Sequence, residues 1–480
     1  MLMFVRVVTL VLGLLITRLL SGHFSLQEYG TYSQVMLLVS TISSITMLGM
    51  MDGVNFFFCK EGDEKKRNAY VSTIFFLQYF ASTVVSLTVL MCASQISQYF
   101  GNDSVKSLIL FAATLPVVQN TISLLQIMFI AIGKARLIAV RNLIISMLKL
   151  IAVSMSCYVF DNISVIFVCQ LITDCLQIIY FTVTLNKNNC KINILKFDKS
   201  LIKEILIYCI PMAMFSVIKA LNRDSDKLII SFFTNTETLA VYSNASKLLP
   251  FDIIMTSFCT VLLPYVTRYI TKQKFAQCRI LYKSFLELSY IATTILAVGA
   301  ICVAPELMRL LYTNKYTTSS FGLTVFVIYI LVDIMSVLTL TMILSAAGRT
   351  KTIMLASIGP FLVNIALNFL LYFAIDEIGP AAATLIVTII QGIVILSLGA
   401  KELKTKLIGM FDCKYLAYFA VQVLAIATLS LFLRRVLVNY QVHYILVIVL
   451  IFAFFSGSLL ALNIRRLLGD LMTINACKKE

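Results

Sequence analysis

The chain has 480 residues, of which 60% are hydrophobic and only 13% are charged, and its formal net charge is +16. A soluble domain could not cover its surface with so few polar groups, so the composition excludes a soluble enzyme or binding module. It predicts an all-α polytopic membrane protein, because backbone groups that face lipid must be hydrogen-bonded within their own helix.

About fourteen apolar segments predict transmembrane helices, since about 20 apolar residues are needed to cross a ~30 Å hydrocarbon core. In chain order the predicted spans are 1–20, 33–58, 69–92, 107–132, 137–160, 163–185, 205–232, 239–266, 284–305, 320–346, 352–375, 380–400, 415–433 and 442–463. The first span lacks a small-residue cleavage site and contains Arg6 and Arg18, so we interpret it as a retained helix rather than a signal peptide.

Basic residues fix the predicted orientation. The loops on one side of the membrane hold 26 of the 39 Lys and Arg residues, whereas the loops on the other side hold six. Cytoplasmic loops carry the basic excess in membrane proteins, so both termini are predicted to be cytoplasmic. This bias accounts for most of the net charge, which favours anionic membrane lipids as partners and gives no reason to expect nucleic acid.

The cysteines and histidines predict no metal site and no cofactor. The twelve cysteines include no CxxC pair, and no two of them share an external loop. His23 and His443 both fall on the predicted outer side, but they are far apart in the sequence. A zinc framework therefore has no ligand set here.

Two echoes along the chain predict an internal duplication. Arg18, Leu19, Leu20, Phe24, Glu28, Tyr32 and Ser33 return as Lys227, Leu228, Ile229, Phe233, Glu237, Tyr242 and Ser243, and Ala131, Gly133, Lys134 and Arg136 return as Ala346, Gly348, Arg349 and Lys351. Such matches at nearly one spacing indicate a repeated unit of about 210 residues. Each copy holds six predicted helices, so the two copies have the same orientation in the membrane.

The duplication predicts four parts. These are an N-terminal six-helix lobe (1–185), a cytoplasmic interfacial linker (186–204), a C-terminal six-helix lobe (205–400), and two further helices with a basic cytoplasmic tail (401–480). In the linker, apolar residues alternate with Lys196, Lys199 and Lys203, a pattern typical of a helix lying on the membrane surface.

Charged residues inside the predicted spans are the candidate site, because each costs at least ~2.5 kcal/mol to insert. The cations, interpreted as lining a cavity between the halves, are Arg6, Arg18, Arg141, Lys149, Lys219, Arg223, Lys227 and Lys247. The acids, interpreted as ion-coupling or charge-balancing groups, are Asp52, Asp174, Asp226, Asp252 and Asp333. A cationic cavity would attract an anionic solute, and Arg would bind phosphate through two parallel hydrogen bonds. Snorkelling to an interface and mutual pairing are the alternatives for each single charge.

Two strings resemble the signatures of bacterial polysaccharide exporters of the Wzx type. The first runs from Arg18 to Tyr32 and includes Leu26, Glu28, Tyr29 and Gly30; the second comprises Asp226, Lys227, Leu228, Ile229, Ile230, Tyr242, Ser243, Lys247, Leu248, Leu263, Pro264 and Tyr265. One departure is that Leu239, Ala240 and Val241 precede Tyr242, where the family has a glycine.

The resemblance implies a flippase of the multidrug/oligosaccharidyl-lipid/polysaccharide (MOP) exporter superfamily, with a MATE-like fold of two six-helix lobes. Its implied substrate is an undecaprenyl-pyrophosphate-linked oligosaccharide repeat unit, moved across the bacterial inner (plasma) membrane by alternating access. The implied pathways are O-antigen (lipopolysaccharide), capsule or exopolysaccharide biosynthesis, with a polysaccharide polymerase and a chain-length regulator as partners. The chain would then be a transporter with no catalytic residues.

Three alternatives stay open. A cation-coupled MATE-type exporter of small molecules would need an acidic, aromatic cavity, which the basic excess in the spans disfavours. A membrane polysaccharide polymerase or glycosyltransferase would need a long outer loop or a cytoplasmic catalytic domain, and the sequence offers neither. A scaffold without transport activity is disfavoured by the charges inside the spans.

Overall fold

The computed structural model describes residues 2–60, 63–131, 135–186, 197–246, 252–312 and 320–479, and at some helical positions it describes the backbone only. The described residues are almost all helical and form no strand. The chain divides into two compact units, Met1–Ser243 and Asn244–Glu480. The predicted all-α class is confirmed.

The first unit contains nine helices and the first residues of a tenth among its described residues. They are α1 (Leu2–His23), α2 (Leu26–Thr46), α3 (Met50–Lys60), α4 (Glu64–Met91), α5 (Ala93–Phe100), α6 (Ser104–Ala131), α7 (Ala135–Met155), α8 (Ser164–Asn186), α9 (Lys199–Phe233) and α10 (Thr236–Ala245). A short π-helix, Ser156–Phe160, extends α7.

Helix α6 lies at the centre of the first unit, packed against α2, α3, α4 and α8. One apolar cluster joins α3, α6 and α8 around the buried side chains of Phe57, Phe129 and Phe181. A second joins α2, α6 and α8 around Val35 and Phe167. Helix α1 packs along α7. On the polar face of α7, Arg141, Ser146 and Lys149 are half-buried and Asn142 is exposed.

The second unit is built around α12. Its helices are α11 (Asp252–Thr271), α12 (Phe275–Cys302), α13 (Ala304–Tyr312), α14 (Ser320–Ser336), α15 (Met342–Ala346), α16 (Thr350–Ile375), α17 (Gly379–Glu402), α18 (Cys413–Asn439) and α19 (Tyr444–Lys479). The last helix packs along α12 and α18. Glu287 on α12 is buried and accepts hydrogen bonds from Arg466 on α19, with Nη2 to Oε2 at 2.8 Å. Arg466 also bonds Asp412, 3.0 Å away, just before α18.

Two predicted spans are each divided into two helices. Span 33–58 becomes α2 and α3, because Leu48 and Gly49 both adopt a left-handed conformation, with φ of 46° and 65°. Span 320–346 becomes α14 and α15, which are separated by a short 3₁₀ turn and by Leu340 in an extended conformation. Hydropathy registers only apolar length, so it could not detect these breaks.

The first echoed motif forms a helix–turn–helix junction in each copy. Before α2, Ser25 and Glu28 form a capping box: Ser25 Oγ accepts from Glu28 N at 3.2 Å, and Glu28 Oε2 accepts from Ser25 N at 2.9 Å. Before α10, Asn235 Oδ1 accepts from Thr238 N at 2.7 Å. In both junctions a helix thus begins just before the repeated Glu. Of the second echo, which pairs residues 131–136 with 346–351, part lies outside the described residues.

Helix α9 begins at Lys199 and runs without a break to Phe233. Residues 199–204, which the sequence assigned to an interfacial linker, are therefore its first turns, and the rest of that linker lies largely outside the described residues. The predicted four-part division of the chain stays a prediction.

Among the described residues, nine segments are long and apolar enough to cross a membrane. Helices α2, α9 and α11 are not among them, although each has at least 20 residues. Helix α2 carries polar side chains along much of its length, as expected for a helix that faces protein or water rather than lipid. The architecture is that of a multi-pass membrane protein, and the number of fourteen spans remains a prediction.

Candidate functional site

A polar cavity of about 500 Å³ lies inside the first unit. Helices α1, α2, α6, α7 and α8 line it, with most of its charge on α7 and α8. The lining residues are Thr9, Met36, Gln119, Ile122, Ser123, Arg141, Asn142, Ile145, Ser146, Lys149, Gln170 and Asp174. We call this space the polar cavity.

The polar lining of α7 follows from helical spacing. Arg141, Ile145 and Lys149 are four residues apart, as are Asn142 and Ser146, so these side chains project from one face. Eight residues correspond to about 12 Å along the helix axis, which separates the attachment points of the two cations. An elongated anionic group could therefore contact both cations.

Asp174 on α8 supplies the acidic group of the polar cavity. Its side chain is 4% exposed and accepts a hydrogen bond from Gln177 Nε2 at 2.9 Å. Lys149 and Arg141 both lie close enough to interact electrostatically with its carboxylate. Counting only the described lining, two cations face one anion, so the polar cavity keeps a net positive charge.

The guanidinium group of Arg141 is held in place but not saturated. Its Nη1 donates to Asn142 Oδ1 at 2.8 Å, and its Cζ lies 5.4 Å from the centre of the Phe181 ring. Its Nε is buried and has no hydrogen-bond partner in the structure. A guanidinium carries five donors, and a buried donor without a partner costs free energy, so Arg141 is prepared to bind an acceptor.

An apolar groove of about 260 Å³ adjoins the polar cavity between α7 and α8. Its lining residues are Leu137, Val140, Arg141, Ile144, Ile145, Leu148, Thr173, Leu176, Gln177 and Tyr180. Several are exposed on the protein surface, for example Leu176 and Ile144, and would contact lipid in a bilayer. Arg141 and Ile145 line both spaces. We call this space the α7–α8 groove.

The structure thus brings Arg141, Lys149 and Asp174 of the predicted site together. Other predicted residues lie elsewhere: Lys227 Nζ is 3.4 Å from Asp224 Oδ1, so it belongs to an ion pair within α9. Asp226 accepts a hydrogen bond from Tyr242 at 2.9 Å.

The remaining predicted site residues divide into two groups. Arg18 lies near the end of α1 and does not line the polar cavity, and Asp333 is buried on α14 of the second unit. Lys247 and the side chains of Arg6, Lys219, Arg223, Asp52 and Asp252 lie outside what the structure describes. The cavity predicted between the halves stays a prediction.

Sequence reasoning missed the uncharged polar residues of the polar cavity. Asn142 and Ser146, like Gln170 and Asp174, are four residues apart on one helix, and this spacing was a usable signal. Gln119 and Ser123 on α6 show the same spacing. Mean hydropathy does not reveal such pairs, because a few amides and hydroxyls lower the mean hydropathy of an apolar span only slightly.

Comparison with known proteins identifies the family and the fold. The family model described as "Polysaccharide biosynthesis protein" matches residues 15–321. A curated relative, "Probable lipid II flippase MurJ" of Rickettsia prowazekii (strain Madrid E), is 24% identical over 189 residues. That match covers 38% of this chain and 37% of the relative, so the chain spans little more than a third of that relative's length.

Two solved structures share the fold over most of the chain. "Lipid II flippase MurJ, inward closed conformation" superposes with a TM-score of 0.75 at 18% identity, covering 96% of this chain and 99% of that one. An inward-facing multidrug resistance MATE family transporter of the MOP superfamily superposes with a TM-score of 0.67 at 11% identity, covering 82% and 94%. At these identities the likeness shows the fold, which is that of MOP-superfamily membrane proteins.

Proposed function

Since the chain belongs to the polysaccharide biosynthesis protein family, we propose that it is a flippase for a lipid-linked precursor. The proposed substrate is an undecaprenyl-pyrophosphate-linked oligosaccharide repeat unit, moved across a bacterial inner membrane for O-antigen, capsule or exopolysaccharide biosynthesis. Both termini would be cytoplasmic, and a polysaccharide polymerase and a chain-length regulator would act on the product. The curated relative named as a lipid II flippase supports a lipid-linked cargo.

The observation that carries this proposal is the position of Arg141 at the junction of two different environments. It lines both the polar cavity and the apolar α7–α8 groove. A lipid-linked sugar has the same two parts, a polar head and an apolar chain, joined by a pyrophosphate. A guanidinium at the junction suits that pyrophosphate, because it binds phosphate oxygens through two parallel hydrogen bonds.

The other lining residues support separate roles in binding the head group. Lys149, two turns from Arg141, would attract a second anionic group or hydrogen-bond a sugar hydroxyl. Asn142, Ser146 and Gln170 offer neutral donors and acceptors, which suit sugar hydroxyls. When the site is empty, Asp174 would balance the charges of Arg141 and Lys149. When a pyrophosphate enters, these two cations would interact with its oxygens instead.

The net positive lining disfavours export of cationic drugs. A cation would be repelled by Arg141 and Lys149, and Asp174 already interacts with both. Alternating access needs no covalent step, so we propose that the protein acts as a transporter and carries no catalytic group.

The test is flipping of a lipid-linked oligosaccharide in proteoliposomes that contain the purified full chain. Losing a charge-assisted hydrogen bond costs ~1.5–3 kcal/mol, so Arg141→Gln is expected to weaken substrate binding about 10- to 100-fold. Arg435→Gln, which alters an exposed arginine on α18, is the matched control and should flip like the wild type. Full flipping by a correctly folded Arg141→Gln protein would refute the role of the polar cavity.

A further inference from the structure

A second groove, apolar and with two lysines at one end, lies between α4 and the first half of α9 in the first unit. Its volume is about 1000 Å³, and it is separate from both spaces described above. Phe76 and Phe80 of α4 form one wall, and Ile207 and Ile210 of α9 form the other. We call it the α4–α9 groove.

The start of α9 is fixed to α4 by several contacts, so the groove has defined walls. Tyr70 Oη donates to Glu204 Oε2 at 2.7 Å, and the Phe76 and Phe197 rings stack with their centres 3.8 Å apart. Thr73 Oγ1 accepts from Asp198 N at 3.0 Å.

The lining of α9 changes from charged to apolar along one helix face. Lys199 and Lys203 lie at its N-terminal end, and Ile207 and Ile210 follow two to three turns later. Glu204 points about 100° away from Lys203 and bonds Tyr70. Asp198 bonds Ser200 and caps the helix. Among the described residues, the groove lining therefore carries two cations and no acid.

The dimensions of this face match one leaflet of a bilayer. From Lys199 to Ile210 the helix rises about 16 Å, close to half of a ~30 Å hydrocarbon core. Phe80, Ile207 and Ile210 are 62%, 66% and 51% exposed, so the apolar end is open to the membrane. Positive-inside bias places the lysine end at the predicted cytoplasmic interface, where anionic headgroups are concentrated.

We infer that the α4–α9 groove binds one anionic phospholipid of the cytoplasmic leaflet, with its phosphate at Lys199 and Lys203 and an acyl chain along Phe80 and Ile210. The lipid would occupy the space between α4 and α9, next to the contacts that join the two helices. An undecaprenyl chain is far longer than one leaflet and would overrun the groove. The inference does not depend on the proposed flippase activity, because the site is separate from the polar cavity.

Native mass spectrometry of the purified full chain tests this inference. The protein is incubated with phosphatidylglycerol or with phosphatidylcholine of the same acyl chains, and bound lipid is counted. A basic residue near an anionic surface contributes ~1 kcal/mol, about fivefold in affinity. Lys199→Gln with Lys203→Gln is therefore expected to lower the preference for phosphatidylglycerol about 25-fold.

Two further variants separate the headgroup from the chain. Lys272→Gln with Lys274→Gln removes the same charge from two exposed lysines of the second unit and should keep the wild-type preference. Phe80→Ala should weaken the retention of both lipids equally, because it alters only the apolar wall. The inference is wrong if the Lys199 and Lys203 double variant keeps the full preference. It is also wrong if undecaprenyl phosphate at equal concentration displaces phosphatidylglycerol from the wild type.

Discussion

Gly30 on α2 marks the point where the two copies of the echoed motif meet. A Cβ built on Gly30 would lie 2.3 Å from Thr236 O and 2.6 Å from Thr236 Cγ2, at the start of α10. A carbon–oxygen contact normally needs at least ~3.3 Å, so Gly30→Ala must move the α10 backbone by about 1 Å. Gln34 Nε2, which lies 3.5 Å from Thr236 Oγ1, would lose that contact as well.

The loss of stability caused by Gly30→Ala is best measured against the same substitution at a helical glycine with free space around it. Overpacking costs ~1–3 kcal/mol, whereas Ala in a helix gains ~1 kcal/mol over Gly. A Cβ added to Gly13 on α1 would meet no atom within 4 Å, so Gly13→Ala is stabilised by the higher helix propensity of Ala and is not overpacked. A difference of ~2 kcal/mol between the two variants corresponds to about 4–8 °C in Tm for a unit of this size.

The assay heats the purified protein and then measures, by size-exclusion chromatography, the fraction that stays monodisperse. Tryptophan fluorescence cannot follow unfolding here, because the chain has no tryptophan. Gly30→Ala should lose half of this fraction about 4–8 °C below Gly13→Ala. Adding Thr236→Ala should not restore stability, because the nearer clash is with the Thr236 backbone oxygen. Equal melting of the two glycine variants, or full rescue by Thr236→Ala, would refute the close approach of these backbones.

Two more predictions concern the ion pairs of the second unit. Arg466→Met leaves the buried Glu287 carboxylate without its 2.8 Å partner; breaking a buried pair costs ~3–5 kcal/mol, and partial exposure of Arg466 lowers this to ~1–3 kcal/mol. Thermal melting should show this loss, and the exposed control Arg465→Met should not. Hydrogen bonding from the Tyr415 N–H, aided by Arg466, lowers the pKa of Asp412. Its stabilisation is therefore fully present above its unfolded pKa of ~3.9 and is lost progressively as the pH falls from there through the lower pKa of the folded state. Asp412→Asn should melt below the wild type at pH 7, and this difference should shrink as the pH falls below ~3.9; a difference that stays constant under acid conditions would contradict the assignment.

Much of the fold could be predicted because it depends on long apolar runs. These features do not register backbone conformation, so the left-handed residues Leu48 and Gly49 that divide the second predicted span escaped notice. They also did not show that the helix of the seventh predicted span begins at Lys199, six residues before that span, since Lys199 and Lys203 lower the hydropathy of a turn that is nonetheless helical.

The candidate site was predictable in its residue types but not in its grouping. Arg141 and Lys149 share one helix, so their common face follows from spacing alone. Their proximity to Asp174 depends on how α7 packs against α8, which no periodicity specifies. Lys227 looked equivalent to them in sequence, yet its neighbour Asp224 takes up its charge.

Helix α9 has a consequence for how the protein is made. By the sequence repeat it opens the second predicted lobe, but its hydrogen bonds complete the first unit: Asp224 accepts from Ser40 Oγ on α2 at 3.2 Å, and the backbone oxygen of Leu228 accepts from Tyr99 Oη at 2.9 Å. The eight helices α1 to α8 therefore precede, in order of synthesis, the partner that satisfies these groups. The first unit is complete only with α9, 35 residues and about 52 Å long, so a break in the chain between 185 and 205 would separate these groups from their partners.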